Sequence, residues 1–309
     1  MKNQLLKTIY SYQYPQTRKL LADLWDEKPH FLFDKSYLQS QDGKEIEFFA
    51  KWKNWASPMI DLDSSFSHFY PTNGSSEAIR EIIYQAKLSG KTLVLLEDDY
   101  EGYRSYAEAC GLKYKLVSRE LSMYFGFNDS HVLVLSQPSS IDGNLWEGFE
   151  PLMQKISSQN SQASVYVDLC YVGCVSSISL KNKINLDHSC ISGLFMSLSK
   201  VFGIYYHRLG GLISKTPELG LVGNQWFKNT FSLELGMRLM DNFSVFKLPD
   251  DIKQIQISSV FDLSKELGSP VFPSDVCLLA YSEVPHDGFK RGDGSRFCLT
   301  RIIDELYED

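Results

Sequence analysis

The sequence predicts an α/β protein with a three-layer α/β/α large domain, built on a mostly parallel sheet, and a reduced small α+β domain. Three observations indicate this class. Short apolar runs alternate with segments of helical periodicity from about residue 66 to residue 214. These runs are apolar over most of their length, which is typical of parallel strands covered on both faces. Several of them end in polar residues, as expected where such a sheet binds a ligand at its carboxyl edge.

The predicted elements follow in chain order. A helix begins after Gly74, where small polar residues and Glu77 precede an apolar stripe. Further on, the large domain contains predicted strands at 91–97, 113–117, 131–136, 164–168, 193–198 and 209–214, and predicted helical regions at 101–110, 146–158 and 216–242.

The domain boundaries follow from where these patterns begin and end. From Pro249 onward we expect an irregular segment with short strands, and after Gly294 a strand that runs into a helix. We therefore assign 53–244 to the large domain, and 1–52 together with 245–309 to the small domain.

Composition excludes several classes of function. The chain has 309 residues, 43% of them hydrophobic, and a net charge of −7 without a basic cluster, so a nucleic-acid partner is disfavoured. The N-terminal residues lack the apolar region of a signal peptide, and no apolar run approaches the roughly 18 residues of a membrane span. The six cysteines and six histidines show no zinc-ligand spacing. We expect a cytoplasmic protein with no bound metal and no membrane partner.

A lysine follows the apolar run that ends in Ser197. The sequence there is Ser197-Leu-Ser-Lys200, so Lys200 lies just past the end of a buried strand. Burial disfavours the charged form of a lysine, and one role for such a residue is to react as a neutral amine with a carbonyl, forming a Schiff base. The alternative is an ordinary surface lysine beyond a strand end.

Other polar residues fall at the same edge of the predicted sheet. Tyr100, Ser140 and Asp168 each lie at or just past the end of a strand, where the carboxyl ends of parallel strands converge. The helix that begins after Gly74, with Ser75 and Ser76 in its first turn, presents bare N–H groups suited to an anion, although an ordinary helix cap would have the same sequence.

The spacing of these residues resembles the cofactor core of the fold-type I pyridoxal-phosphate (PLP) enzymes, the aspartate aminotransferase superfamily. The motif is Asp168-x-x-Tyr171, with Lys200 located 32 positions after Asp168 and Arg208 eight positions after Lys200. The resemblance covers about residues 66–213, with a weaker match at 290–302. It implies the PLP type I fold and pyridoxal 5'-phosphate as cofactor.

The resemblance also implies roles for the residues at the predicted edge. Lys200 would hold the cofactor's aldehyde as a Schiff base and later move the substrate's α-proton. Asp168 would face the pyridine nitrogen and keep it protonated, which makes the ring an electron sink. Tyr171 would donate its hydroxyl to the phenolic oxygen. Arg208 and Ser197 would bind the phosphate together with residues 74–76, because a guanidinium meets phosphate oxygens two at a time.

Two assignments implied by the resemblance have competing alternatives. Tyr100 matches the aromatic residue that lies on the cofactor ring, and Tyr103 is the competing choice. Arg296, in Ser-Arg-Phe-Cys-Leu-Thr, resembles the arginine that binds the substrate α-carboxylate, and a surface arginine is the alternative.

The sequence departs from the family pattern in two places. An Asn-Pro-x-Asn-Pro-x-Gly loop is common in the family, but this chain has Gln137-Pro-Ser-Ser140-Ile-Asp-Gly143, with Ser140 in place of the second asparagine. Only 88 positions separate Arg208 from Arg296, so the small domain is shorter than in typical members. Both departures bear on the type of reaction.

These observations predict an aminotransferase that moves an amino group between an amino acid and a 2-oxo acid through the Lys200 Schiff base. One alternative is a PLP-dependent lyase, decarboxylase or cyclase acting on an amino acid in specialised metabolism. Another is a non-catalytic binding protein on the same fold, although the presence of both Lys200 and Asp168 argues against it. The resemblance further implies a homodimer.

Overall fold

The structure is a computed structural model that describes residues 5–6, 9, 14–27, 41–160, 162–222 and 229–308. The helices in these ranges are α1 (Pro15–Asp26), α2 (Gln41–Ala56), α3 (Ser75–Leu88), α4 (Glu101–Cys110), α5 (Arg119–Ser122), α6 (Phe149–Ser157), α7 (Ser199–Phe202), α8 (Leu219–Val222), α9 (Thr230–Asn242), α10 (Lys247–Leu267) and α11 (Thr300–Glu308). The strands are β1 (Ile60–Asp61), β2 (His68–Asn73), β3 (Thr92–Leu96), β4 (Tyr114–Val117), β5 (His131–Ser136), β6 (Ser164–Asp168), β7 (Ile184–Asn185), β8 (Ile191–Ser197), β9 (Leu209–Ser214), β10 (Phe272–Pro273), β11 (Leu279–Ser282), β12 (Lys290–Arg291) and β13 (Gly294–Cys298).

The central sheet is mostly parallel. Within the described ranges its seven strands lie in the order β2-β9-β8-β6-β5-β3-β4. Neighbouring strands from β8 to β4 are parallel, and β9 runs antiparallel to both β8 and β2. The predicted strands from 91 to 214 are all present, which confirms the predicted class of fold.

Both faces of this sheet are covered, so the strands are apolar on both sides. Along β5, Val132 and Val134 join the core beneath α3, whereas Leu133 and Leu135 join the larger core on the opposite face. The two cores are separated by the sheet itself, because successive side chains of a strand point to opposite faces. This arrangement is the predicted three-layer architecture.

The register of the strands brings polar residues to one edge. Ser136 pairs with Asp168, and Asp168 pairs with Phe195, two residues before the end of β8. Immediately after β8 the chain turns into α7, which carries Lys200. The carboxyl ends of β5, β6 and β8 therefore place their terminal side chains next to one another.

The C-terminal part forms a second sheet, with strand order β10-β11-β13-β12 and antiparallel pairing throughout. The expectation of an irregular segment from Pro249 onward was wrong, because Pro249 lies in the first turn of the 21-residue helix α10. Proline is tolerated there, since the first N–H groups of a helix have no partner within the helix. The strand and helix predicted after Gly294 are present as β13 and α11.

The helical region predicted at 216–242 contains two helices, α8 and α9, and residues 223–228 between them lie outside the described residues. The predicted domain boundary after residue 52 falls inside α2, which packs on α9 through ion pairs of Lys44 with Glu234 (2.8 Å) and Lys51 with Asp241 (2.7 Å). The division into 53–244 and the two flanking segments stays a prediction.

Two further observations concern the cysteine thiols and the possibility of a membrane-spanning helix. All six cysteines have free thiols. Among the helices that the structure describes, none combines the length and the apolar character that crossing a membrane requires.

The packing of α2 gives a test of the fold. Trp52 is 1% exposed, whereas Ile46 on the same helix is 64% exposed. Trp52→Ala should lower the free energy of unfolding by about 3–5 kcal/mol, because it removes a large buried side chain and leaves a cavity. Ile46→Ala should change it by less than about 0.5 kcal/mol. Urea unfolding of both variants measures the difference, and equal effects would contradict this packing.

Candidate active site

A cavity of about 320 Å³ lies at the carboxyl edge of the central sheet, a size within the range of ligand pockets. The structure brings every predicted site residue to its wall. These residues are Gly74, Ser75, Ser76, Tyr100, Ser140, Asp168, Tyr171, Ser197, Lys200, Arg208 and Arg296.

Lys200 reaches the cavity from the short helix that follows β8. Its Nζ lies 5.3 Å from the centre of the Tyr171 ring, which is itself buried. The neighbouring Ser199 also lines the cavity, and its buried Oγ makes no hydrogen bond to the residues that the structure describes. A lysine amine and a hydroxyl with unused hydrogen-bonding capacity thus share one wall.

Asp168 is the last residue of β6 and is buried. Its Oδ2 accepts a hydrogen bond from the Tyr103 hydroxyl (2.8 Å), and its Oδ1 accepts one from the Cys170 backbone N–H (3.0 Å). Burial raises the pKa of Asp168, and the hydrogen bonds from Cys170 and Tyr103 lower it in part. A buried acid of this kind is stabilised by a cation placed in the cavity beside it.

The two tyrosines that compete for the ring-stacking role have different positions. Tyr100 precedes α4 and lines the cavity, and burial raises its pKa to about 12, so its hydroxyl is neutral at physiological pH. Tyr103 is 0% exposed and lies behind the wall, in edge contact with Tyr100 at 5.2 Å between ring centres. Of the two, only Tyr100 reaches the cavity; Tyr103 supports Asp168.

One end of the cavity is suited to an anion. The helix α3 begins there at Ser75, after Gly74 at φ +74°, and its first N–H groups have no partner within the helix. The Arg208 guanidinium lies against this turn, where its Nη2 donates to the Asn73 carbonyl at 3.0 Å. A Cβ on Gly74 would come within 2.8 Å of Arg208 Nη2 and displace it, and the positive φ at this position itself favours glycine.

Arg296 reaches the cavity from β13, in the second sheet. It is 3% exposed, and its Nη1 donates to the Ser140 carbonyl and, at 3.1 Å, to Ser140 Oγ. The alternative of a surface arginine is therefore wrong. Burial lowers the pKa of Arg296 and raises that of Tyr171, whose hydroxyl faces Ser140. Ser140 thus joins an arginine and a tyrosine that belong to different parts of the chain.

Further residues line the cavity that the sequence did not single out, among them Glu101, Ser136, Cys170, Ser199, Tyr205 and Arg291. Cys170 and Ser199 had a signal, because they lie inside the motifs that were recognised. The pairing of Arg291 with Glu101 had none, because these residues are 190 positions apart and meet as an ion pair only in the folded chain.

The comparisons with known proteins agree on the fold. No protein-family model and no curated protein matches the sequence. Among solved structures, the PLP-bound C-S lyase from Staphylococcus hominis is similar with a TM-score of 0.68 at 9% identity, over 98% of this chain and 90% of that one. The histidinol-phosphate aminotransferase from Clostridium acetobutylicum has a TM-score of 0.66 at 12% identity, over 97% of each chain. The L-threonine-O-3-phosphate decarboxylase from Porphyromonas gingivalis has a TM-score of 0.63 at 13% identity, over 97% of this chain and 100% of that one.

These similarities define the class of the fold. The chain has the three-layer α/β fold of the type I PLP-dependent enzymes, as its sequence motifs predicted. Within that fold, the structures it resembles carry the names of transferases, lyases and a decarboxylase.

The buried charge of Asp168 gives a pH-dependent test. Because burial raises its pKa above the usual 3.8, the folded chain binds a proton there more readily than the unfolded chain, and stability falls as the pH rises above that value. Asp168→Asn removes this cost. The free energy of unfolding of the variant, relative to that of the parent, should therefore increase between pH 4 and pH 8. Urea unfolding without added cofactor measures this, and an equal difference at both pH values would contradict it.

Proposed function

We propose that the protein is a PLP-dependent aminotransferase, which binds the cofactor covalently through Lys200 and moves an amino group between an amino acid and a 2-oxo acid. The observation that carries the proposal is the meeting of a lysine amine and a buried carboxylate in one cavity, whose far end is suited to an anion. The residues that form this cavity wall are far apart in the sequence: Gly74 and Arg208, at the end suited to an anion, are separated by 134 positions.

The residues present fit this cofactor. Arg208 and the N-terminus of α3 would hold the phosphate, because a guanidinium and unpaired N–H groups together favour a doubly charged anion. Asp168 has a pKa raised by burial, and a protonated ring nitrogen is the cation that would stabilise its charge. The unpartnered Ser199 Oγ offers one more hydrogen bond in the same wall.

When bound, pyridoxal phosphate supplies an aldehyde that condenses with amines and a ring that accepts the electron pair released at the substrate's α-carbon. The Lys200 amine would take the α-proton and return it, as a general base and then a general acid. The Asp168 carboxylate, which accepts a hydrogen bond from Tyr103, would hold the proton on the ring nitrogen. The Tyr171 hydroxyl, which faces Ser140, would donate to the phenolic oxygen.

The substrate would be held by its α-carboxylate. Arg296 is buried beside Ser140, so its guanidinium binds an anion with little competition from water. The partners we propose are accordingly a small amino acid and a 2-oxo acid. A cytoplasmic location and a homodimer are further parts of the proposal, the homodimer resting on the family resemblance alone.

A second candidate function keeps the cofactor and changes the reaction to a lyase, decarboxylase or cyclase. The observation in its favour is Ser140, which replaces an amide donor near Tyr171 and is already engaged by Arg296. With fewer donors to the phenolic oxygen, the electronics of the ring differ from those of typical aminotransferases. Names of similar structures, a C-S lyase and a decarboxylase, support this candidate as well.

The role of Lys200 is tested by absorption spectroscopy. The purified parent with added pyridoxal phosphate should show a visible band that survives gel filtration. Lys200→Ala should lose the band, because no other lysine of the described part of the chain lines the cavity, whereas Lys265→Ala on the exposed side of α10 should keep it. Asp168→Ala should keep some band and lose most turnover. A band that persists in Lys200→Ala, or normal turnover in Asp168→Ala, would contradict the assigned roles.

The type of reaction is tested by incubating the loaded protein with single amino acids and no 2-oxo acid. Transamination should convert the bound cofactor to its amine form, in an amount equal to the enzyme, and then stop until a 2-oxo acid is added. Continued turnover with the aldehyde form retained would instead establish the second candidate. Spectra and product analysis by mass spectrometry distinguish the two.

A further inference from the structure

Asp99 is a buried carboxylate close to the cavity that has no role in the chemistry described so far. It is 5% exposed and immediately precedes Tyr100. Its Oδ1 accepts hydrogen bonds from the Tyr100 N–H at 2.8 Å and from Ser136 Oγ at 2.5 Å, and its Oδ2 accepts one from the Ser136 N–H at 3.0 Å. Burial raises the pKa of Asp99, and these three donors act in the opposite direction by favouring the charged form.

Ser136 extends this arrangement toward the cavity. Its Oγ donates to Asp99 and at the same time accepts a hydrogen bond from the Ser140 N–H at 2.7 Å. Because a backbone N–H can only donate, Ser136 Oγ is the acceptor there and its own proton is directed to the carboxylate. The direction of both hydrogen bonds is therefore determined. Ser140 is held at the end of a short series of hydrogen bonds that begins at Asp99.

This series of hydrogen bonds ends at Arg296. The Ser140 carbonyl and hydroxyl both accept from Arg296 Nη1, so the position of the guanidinium depends on where the Ser140 backbone lies. One buried series thus joins Arg296 of β13, Ser140 of the loop after β5, Ser136 at the end of β5 and Asp99 of the turn after β3. Hydrogen bonds that share a donor or acceptor in a buried series are expected to be energetically coupled.

We propose that Asp99 is a positioning residue: through Ser136 it holds Ser140 and so orients Arg296 for the substrate carboxylate. The inference rests on the proposed function, because it takes Arg296 as the group that binds the substrate. According to this inference, Asp99 supports the loop that carries Ser140, and Ser140 is the residue that stands where the family commonly has an asparagine. The role of Asp99 is to fix geometry, and it touches neither substrate nor cofactor.

The cleanest variant is Ser136→Ala, which removes the hydroxyl and leaves the bond of Asp99 to Tyr100. In the full-length, cofactor-loaded protein it should raise KM for the amino acid about tenfold, the equivalent of one coupled hydrogen bond. The value of kcat should change by less than about threefold, because binding through Arg296 is weakened and the proton-transfer groups are untouched. Ser136→Thr retains the hydroxyl and should restore most of the loss.

Asp99→Asn tests the carboxylate itself. An amide in this position meets three donors and can accept on one side only, so in either orientation its NH2 group faces a backbone N–H, of Ser136 or of Tyr100, and the geometry at the start of the series is disturbed. Its effect on KM should be of the same order as that of Ser136→Ala. The double variant should cost no more than the larger single change, because both act through Ser140.

A binding measurement gives a readout that does not depend on turnover. Butyrate carries a carboxylate and no amine, and butyramide is its uncharged control. Calorimetric titration should show butyrate binding weakened about tenfold in Ser136→Ala and in Asp99→Asn, and butyramide binding that is equally weak in all variants. Thermal unfolding of each variant is recorded in parallel.

The outcomes separate this inference from the proposed function. Variants that bind butyrate like the parent, or that lose kcat without a change in KM, overturn the positioning role. So does a loss of thermal stability that accounts for the whole effect and is not reversed by Ser136→Thr. A parent that shows no Lys200-dependent band but binds butyrate in a manner dependent on Asp99 overturns the proposed function and supports the inference. A parent with neither property overturns both.

Discussion

The burial of the Asp168 carboxylate at the end of β6 is the constraint on which the cavity depends. A charged acid in this position costs free energy, which the structure reduces with hydrogen bonds from Tyr103 and from the Cys170 backbone. The remaining cost is visible as a raised pKa. A site that keeps such a group open to a cavity is arranged to receive a cation, and the neighbouring lysine, arginine and helix N-terminus are arranged around the same space.

The second sheet completes the site by docking against the loop that follows β5. Asn144 Oδ1 accepts from the Asp275 N–H at 3.0 Å, and Asp275 Oδ2 accepts from the Leu145 N–H at 2.9 Å. The loop approaches this closely at Gly143, where a Cβ would come within 2.9 Å of Ser274. Through this contact the C-terminal part brings Arg296 onto Ser140.

Much of the fold and of the candidate site was accessible from the sequence, for identifiable reasons. The strands from 91 to 214 are short, apolar and bounded by polar residues, and each was recognised because burial on both faces imposes that pattern. Lys200, Asp168 and Arg208 were recognised by spacing. The helix α10 was missed because an irregular segment was expected from Pro249 onward, although a proline in the first turn of a helix lacks only an N–H that would have no partner there.

The sequence by itself determined the order of the elements and the residue types at the strand ends, because local burial and chain direction decide both. Only the tertiary structure decided which of these side chains meet. The sequence assigned the ring-stacking role to Tyr100 and left Tyr103 as a competing choice, and the structure places Tyr100 at the cavity and Tyr103 behind Asp168. Asp99, Ser136, Ser140 and Arg296 form one series because hydrogen bonds between distant segments depend on how sheets and loops pack, which no local pattern records.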